Sequence, residues 1–172
     1  MQFFFSLVFS SLFLVRPAEA QNIYATRNGK ISFSAPSDDD VKAVNNEVTS
    51  RIADNGQMTF SLLIKGFKFK YAEMQEHFND QFLESSKYPR ADFKGNIVNL
   101  KDVDFTKNGS YKITVKGDLT MHGVTKNITV NGTLDIKDGK INTAAQFTAL
   151  KKDLAVNASS VTEKGVGEIN CQ

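Results

Sequence analysis

A chain of 172 residues with 21 Lys and Arg against 19 Asp and Glu carries a formal charge of only +2. That balance excludes a molecule built around a polyanion, so nucleic acid is not an expected partner. The single cysteine, Cys171, excludes an internal disulfide framework, and the length fits one domain whose hydrophobic core must supply its stability.

The first predicted element is a leader. An apolar run from Phe3 to Val15 is followed by Arg16-Pro17-Ala18-Glu19-Ala20. Ala18-Glu19-Ala20 is a small-x-small cleavage site behind an apolar core of signal-peptide length. The run is shorter than the about 20 residues that a membrane-spanning helix needs. The expectation is a signal peptide over 1–20, cleaved after Ala20, and an exported mature domain over 21–172. Gln21 rather than Cys follows the cleavage site, which argues against a lipoprotein anchor. Cys171 reads as an incidental thiol on a frayed terminus.

Ile23 to Ser34 reads as one or two short strands around Asn28-Gly29, a strong hairpin dipeptide. Pro36 to Asp40 reads as a solvated loop, because its three acids lack the spacing of a calcium-binding loop. Val44, Val48 and Ile52 share even parity. Their β-branched character favours a half-buried strand, although the four-residue spacing also suits a helix. After the turn at Asn55-Gly56, Met58, Phe60, Leu62 and Ile64 line one face. Beyond Gly66 the apolar residues Phe67, Phe69 and Tyr71 take the opposite parity, so Gly66 is expected at a bulge or sharp bend.

Met74, Phe78 and Phe82 recur every four residues among acids, which predicts an amphipathic helix of about three turns over Tyr71–Ser85. It should stop near Ser85-Ser86, because Pro89 disfavours helix in the residue before it. Phe93, Gly95 and Ile97 give the next strand, and Asn108-Gly109 turns the chain. Between Tyr111 and Ile136 the alternation is nearly unbroken. Odd positions are apolar up to Met121, and even positions carry that face after His122-Gly123. Asp138-Gly139 turns the chain again, Ile141–Leu150 forms a further strand, and Val161, Val166 and Ile169 mark a closing one. About eight strands joined by short turns, with one helix, predict a mainly β, antiparallel barrel or sandwich.

Two segments carry a family resemblance. Gly117-Asp118-Leu119-Thr120-Met121-His122-Gly123-Val124-Thr125-Lys126 resembles the G-x-L-T-x-H-G-V-T-K signature of YceI-like proteins. Met74 to Phe82, followed by Lys87-Tyr88-Pro89 and the strand to Gly95, resembles their helix and following strand. The resemblance covers Gly56 to about Asp153 and departs at both ends. In the first strand Gly29-Lys30-Ile31-Ser32-Phe33 lacks the two histidines usual there. The resemblance implies an extended lipocalin-like antiparallel β-barrel holding a long apolar chain, polyisoprenoid or fatty-acyl, in a periplasmic or secreted protein.

Nothing in the sequence outlines catalysis. His77 and His122 are the only histidines, too few for a zinc site without cysteines, and no nucleophile elbow or phosphate loop is present. His77 reads as a cap at the barrel mouth and His122 as a hydrogen-bonding turn residue. No cofactor, metal or catalytic residue is therefore expected. The candidate lining of a ligand tunnel is Met58, Phe60, Leu62 and Ile64, then Phe93 and Ile97, then Ile113, Val115, Leu119 and Met121. Phe78 and Phe82 would close one end from the helix. Inward Gly95 and Gly117, with Ala145 and Ala149, point to unfilled volume, and Lys65, Lys68, Lys70 and Lys87 could meet an anionic head. From the residues alone a filled core and an open tunnel are equally compatible with this pattern, and the resemblance favours the tunnel. Two other readings stand beside it. One is a solid-cored module for protein interaction. The other is a lipid hydrolase or isomerase using Glu76, His77 and Asp80. The N-terminal strand, if it lies at a sheet edge, would support a homodimer.

Overall fold

The computed structural model describes residues 21–35, 38–149 and 165–166, with side chains described over 21–34 and 41–147. Alternation in the sequence becomes alternation in space. In β3 (Gln57–Leu63) Met58, Phe60 and Leu62 are buried while Gln57, Thr59 and Leu63 are exposed. The same rule orders β5 (Arg90–Ile97), β6 (Gly109–Met121) and β7 (Val124–Lys137). With β1 (Ile23–Ala35), β2 (Asp38–Ala53) and β8 (Lys140–Ala145), they form one antiparallel sheet in the order β1-β2-β3-β5-β6-β7-β8. The sheet curls into a nearly closed barrel. Its apolar face meets itself in a core running from Ile31 through Leu134 to Ile141. A separate pair, β9 (Thr148–Ala149) and β10 (Gly165–Val166), lies beside β1.

Two turns match the sequence reading closely. His122 and Gly123 adopt φ of 52° and 72°, and Asp138 and Gly139 adopt 51° and 75°. Left-handed conformation at both central residues is what a tight hairpin of native twist requires.

Asn28-Gly29 does not meet that requirement. Neither residue has positive φ, and β1 runs on through them with register shifts on either side of Gly29. The Asn28 N–H donates to Thr26 Oγ1 at 3.1 Å. The dipeptide is thus a bulge within a long strand rather than a hairpin. The chain reverses later, where Ala35 pairs with Asp38, so Asp38–Asp40 open β2 rather than belong to a loop. Pro36 and Ser37 lie outside the described residues.

The expected bend at Gly66 is present. A 3-10 turn over Ile64–Gly66 ends β3, and β4 (Lys68–Phe69) returns to pair with β2 at Ala43 and Val44. Asn45 holds the corner. Its fully buried side chain donates Nδ2–H to the Leu63 carbonyl at 2.9 Å and accepts the Glu47 N–H at 2.8 Å. A Cβ on residue 66 would lie 2.6 Å from Asn45 Nδ2, so only glycine lets the corner close.

The helix is shorter than the periodicity predicts. α1 covers Ala72–His77, and Phe78–Phe82 form one wider turn in which the Leu83 N–H donates to the Phe78 carbonyl at 2.9 Å. Spacing of four lies above the 3.6 residues of α-helical winding, and widening the turn keeps Phe82 over Phe78. Glu84, at φ 44°, ends the segment, with the Ser85 N–H donating to the Asn79 carbonyl at 2.7 Å. The strand predicted over Ile141–Leu150 is also interrupted. β8 stops at Ala145 and pairing resumes only at Thr148–Ala149. Val166 lies in β10, while Leu150, Val161 and Ile169 are outside the described residues.

Candidate functional site

Strand registers define two ends of the barrel. Tyr24 lies opposite Ile52, Met58 opposite Ile52 and Gly95, Ile97 opposite Val115, and Ile136 opposite Ile141, which gathers one end. Phe33, Leu62, Met121 and the helical segment gather the other. At that helix end Phe78 is surrounded by Phe33 at 5.4 Å, Phe67 at 5.6 Å, Phe69 at 4.9 Å and Phe82 at 5.9 Å between ring centres. Such offset and edge-on ring pairs pack tightly.

Between the ends lie the residues named for a tunnel lining. Met58, Phe60, Leu62, Ile64, Phe78, Phe93, Ile97, Ile113, Val115 and Leu119 are all buried in one cluster, with Phe82 and Met121 partly buried against it. Burial is not uniform. Val48 and Leu134 are 0 % exposed, whereas Met58, Phe60, Phe78 and Val115 each retain 7 %.

The volume expected beside the inward glycines is taken up. Gly95 and Gly117 face each other across the ladder, and the Phe93 ring would stand 2.6 Å and 2.8 Å from a Cβ on either. Phe60 stacks on Phe93 at 5.1 Å. Ala145 packs against Gly132, and the Ala149 side chain lies outside the described ones. An aromatic two residues away can fill a glycine gap that strand parity alone leaves empty.

Sequence reading missed the seam. β1 and β8 are the two ends of the sheet order. Where they approach, at the end away from the helix, is a cavity of about 180 Å³, open to solvent on one side. Tyr24, Thr26, Ser50, Ile52, Lys140 and Ile141 are among its walls. Ser50 is 1 % exposed, and its Oγ has no hydrogen-bond partner. The signal was available in the sequence: Ser50 shares the inward even parity of Val48 and Ile52.

The polar candidates lie elsewhere. His77, Glu76 and Asp80 are exposed. Glu76 and Asp80 line an open groove of about 360 Å³ on the outside of the helix, with Lys65, Gln75 and Asn79. They therefore form no acid–base group inside the barrel, and His77 does not cap its mouth. Among the described residues no group of three or more His, Cys, Asp or Glu could hold a metal. His122 Nε2 bonds to Glu84 Oε2 at 2.8 Å, and its ring meets Tyr88 edge-on at 4.7 Å. This contact ties the β6–β7 hairpin to the end of the helical segment, as a hydrogen-bonding turn residue would.

Of the four candidate lysines, Lys65 donates to Ser86 Oγ at 3.3 Å, and Lys70 and Lys87 lie over Tyr71 and Tyr88. A hydrogen bond to Tyr88, together with the charges of Tyr88 and Glu84, raises the Lys87 ammonium above its ordinary pKa. All four are exposed and sit at the helix end.

Among the described residues the chain is a nearly closed antiparallel barrel with an apolar, aromatic interior. The sequence matches the YceI-like domain over residues 23–169, and the chain belongs to that family. A UPF0312 protein of Pseudomonas fluorescens is 31% identical over 114 residues, 66% of this chain and 48% of that protein. The match thus spans about half the length of that relative. A polyisoprenoid-binding domain from Saccharophagus degradans implicated in plant cell wall breakdown superposes with a TM-score of 0.70 at 12% identity. That superposition covers 86% of this chain and 94% of that one. BcnA of Burkholderia cenocepacia superposes at 0.61 and 15% identity, over 83% and 93% of the two chains. A YceI protein of Campylobacter jejuni does so at 0.53 and 16% identity, over 98% and 97%. At these identities the likeness carries the fold.

Proposed function

We propose that this protein is an exported, non-catalytic carrier that sequesters a long apolar chain, polyisoprenoid or fatty-acyl, within its barrel. The observation that carries this reading is the inward apolar face, continuous from the ring cluster around Phe78 to Ile141 beside the seam cavity. The polyisoprenoid-binding character of the Saccharophagus degradans domain of the same fold supports it. Binding works by exclusion of water. Each methylene removed from solvent contributes about 0.8 kcal/mol, so a long chain needs no charged contact to bind tightly. Met58 and Met121 let the wall adapt to different chains.

Export is supported by the apolar run and the Ala18-Glu19-Ala20 site. N-terminal sequencing of protein recovered from the cell envelope or medium is expected to begin at Gln21. Ligand stabilisation tests the carrier reading. A chain at about 100 times its Kd adds about 2.7 kcal/mol to stability, which for a domain of this size raises Tm by roughly 5–10 °C. No shift with either isoprenoid or fatty-acyl chains would favour a solid-cored interaction module. Against that second reading, the exposed large apolar residues divide between the ends, Ile23 and Val98 at one and Leu63 and Tyr71 at the other. Among the described residues they form no single docking patch of the kind such a module presents.

A further inference from the structure

We propose that the seam cavity is a head-group subsite, which takes the uncharged, oxygen-bearing end of the bound chain and hydrogen-bonds it to Ser50. The inference rests on the carrier reading and adds polarity and direction to it.

The two ends of the barrel differ chemically. The helix end is closed by the five-phenylalanine cluster around Phe78, which offers an incoming polar group no hydrogen bond. At the seam end, Ser50 projects from β2 beside Thr26, its partner across the β1–β2 ladder. Thr26 Oγ1 already accepts the Asn28 N–H, whereas the buried Ser50 Oγ has no partner. Buried hydroxyls are almost always hydrogen-bonded, and leaving one unpaired lowers stability. A hydroxyl left unpaired on the wall of a cavity is placed to bond what enters it. Thr143 Oγ1, likewise buried and unpaired, lies two residues beyond Ile141 on the same inward face of β8.

Size and charge define the occupant. An engineered apolar cavity of about 150 Å³ admits benzene, so about 180 Å³ takes one ring or one branched terminal unit. Tyr24, Ile52 and Ile141 supply flat and apolar contact around it. The one charged side chain among the lining residues is Lys140, which is exposed. Walls that carry the Tyr24, Thr26 and Ser50 hydroxyls, with the Ser50 Oγ buried and unpaired, and a single exposed cation suit an alcohol or a ring carbonyl. A phosphate or diphosphate would call for several cations or backbone donors. The chain then lies with its oxygen at the seam and its tail towards Phe78.

Competition binding on the mature protein separates the outcomes, with geranylgeraniol and the hydrocarbon lacking its hydroxyl each displacing a fluorescent fatty-acyl chain. Ser50→Ala is expected to weaken geranylgeraniol binding about fivefold to tenfold, the loss of one hydrogen bond. It should leave the hydrocarbon within about twofold and the Tm of the free protein no lower. If both probes weaken equally, Ser50 acts through packing and the subsite is overturned. If wild type binds both probes and Ser50→Ala changes neither, the subsite alone is overturned and the carrier reading stands. If wild type binds neither probe nor the fluorescent chain, the carrier reading falls and the subsite with it.

Discussion

Asn45 and Gly66 show how one buried amide fixes a corner of the barrel. Asn45→Ala removes two hydrogen bonds and leaves the Leu63 carbonyl without this donor, so a loss of about 1–3 kcal/mol in denaturant unfolding is expected. Gly66→Ala forces a Cβ against Asn45 Nδ2, and the clash disappears when Asn45 is also Ala. A double-mutant cycle should therefore show coupling, with the pair costing less than the sum of the singles. Gly66 was legible from the phase change between Ile64 and Phe67. Asn45 was not, because its acceptor lies 18 residues away. Asp104 illustrates charge. Hydrogen bonds from Lys107 and from the Thr106 side chain and backbone lower its carboxyl from 3.8 to about 2. A carboxyl depressed on folding stabilises the protein fully above its unfolded pKa and loses that contribution as pH falls towards about 2. Asp104→Asn is expected to flatten the fall in stability between about pH 4 and pH 2, measured by urea unfolding across that range.

Alternation made the elements legible, and long-range pairing decided what alternation left open. The β6–β7 hairpin could be read residue by residue because both arms keep one parity and meet at His122-Gly123. Asn28-Gly29 carries an equally strong local turn signal, yet β1 continues through it to pair with β2 as far as Ala35. Asp38–Asp40 are polar enough for a loop and nevertheless open β2, with Asp38 paired to Ala35. The helical segment was legible in place but not in winding, since a spacing of four fits both an α turn and a wider one. Phe78 binds this segment to the barrel through three ring contacts, to Phe33, Phe67 and Phe69. Phe78→Ala is expected to cost about 3–5 kcal/mol. Limited proteolysis should then cut first within Ala72–Phe82 while the β6–β7 hairpin stays protected. Equal protection of both segments would mean that the ring cluster does not anchor the helix.

At the scale of the whole molecule, strand count, antiparallel order and family were within reach of the sequence, because turns and motifs are local. The seam was not. It depends on where the first and last strands of an almost closed sheet come to lie, and residues 24 and 141 have no local relation. The predicted lining is gathered in one cluster, but how much room it leaves depends on which neighbour fills each gap, as Phe93 does over Gly95 and Gly117. The central claim concerns what that interior holds. Native mass spectrometry of the mature protein, purified from its own host and repeated after solvent extraction, tests it most directly. The account predicts a discrete added mass that extraction releases as an isoprenoid or fatty-acyl lipid. A bare polypeptide mass that takes up neither kind of chain when offered would contradict it.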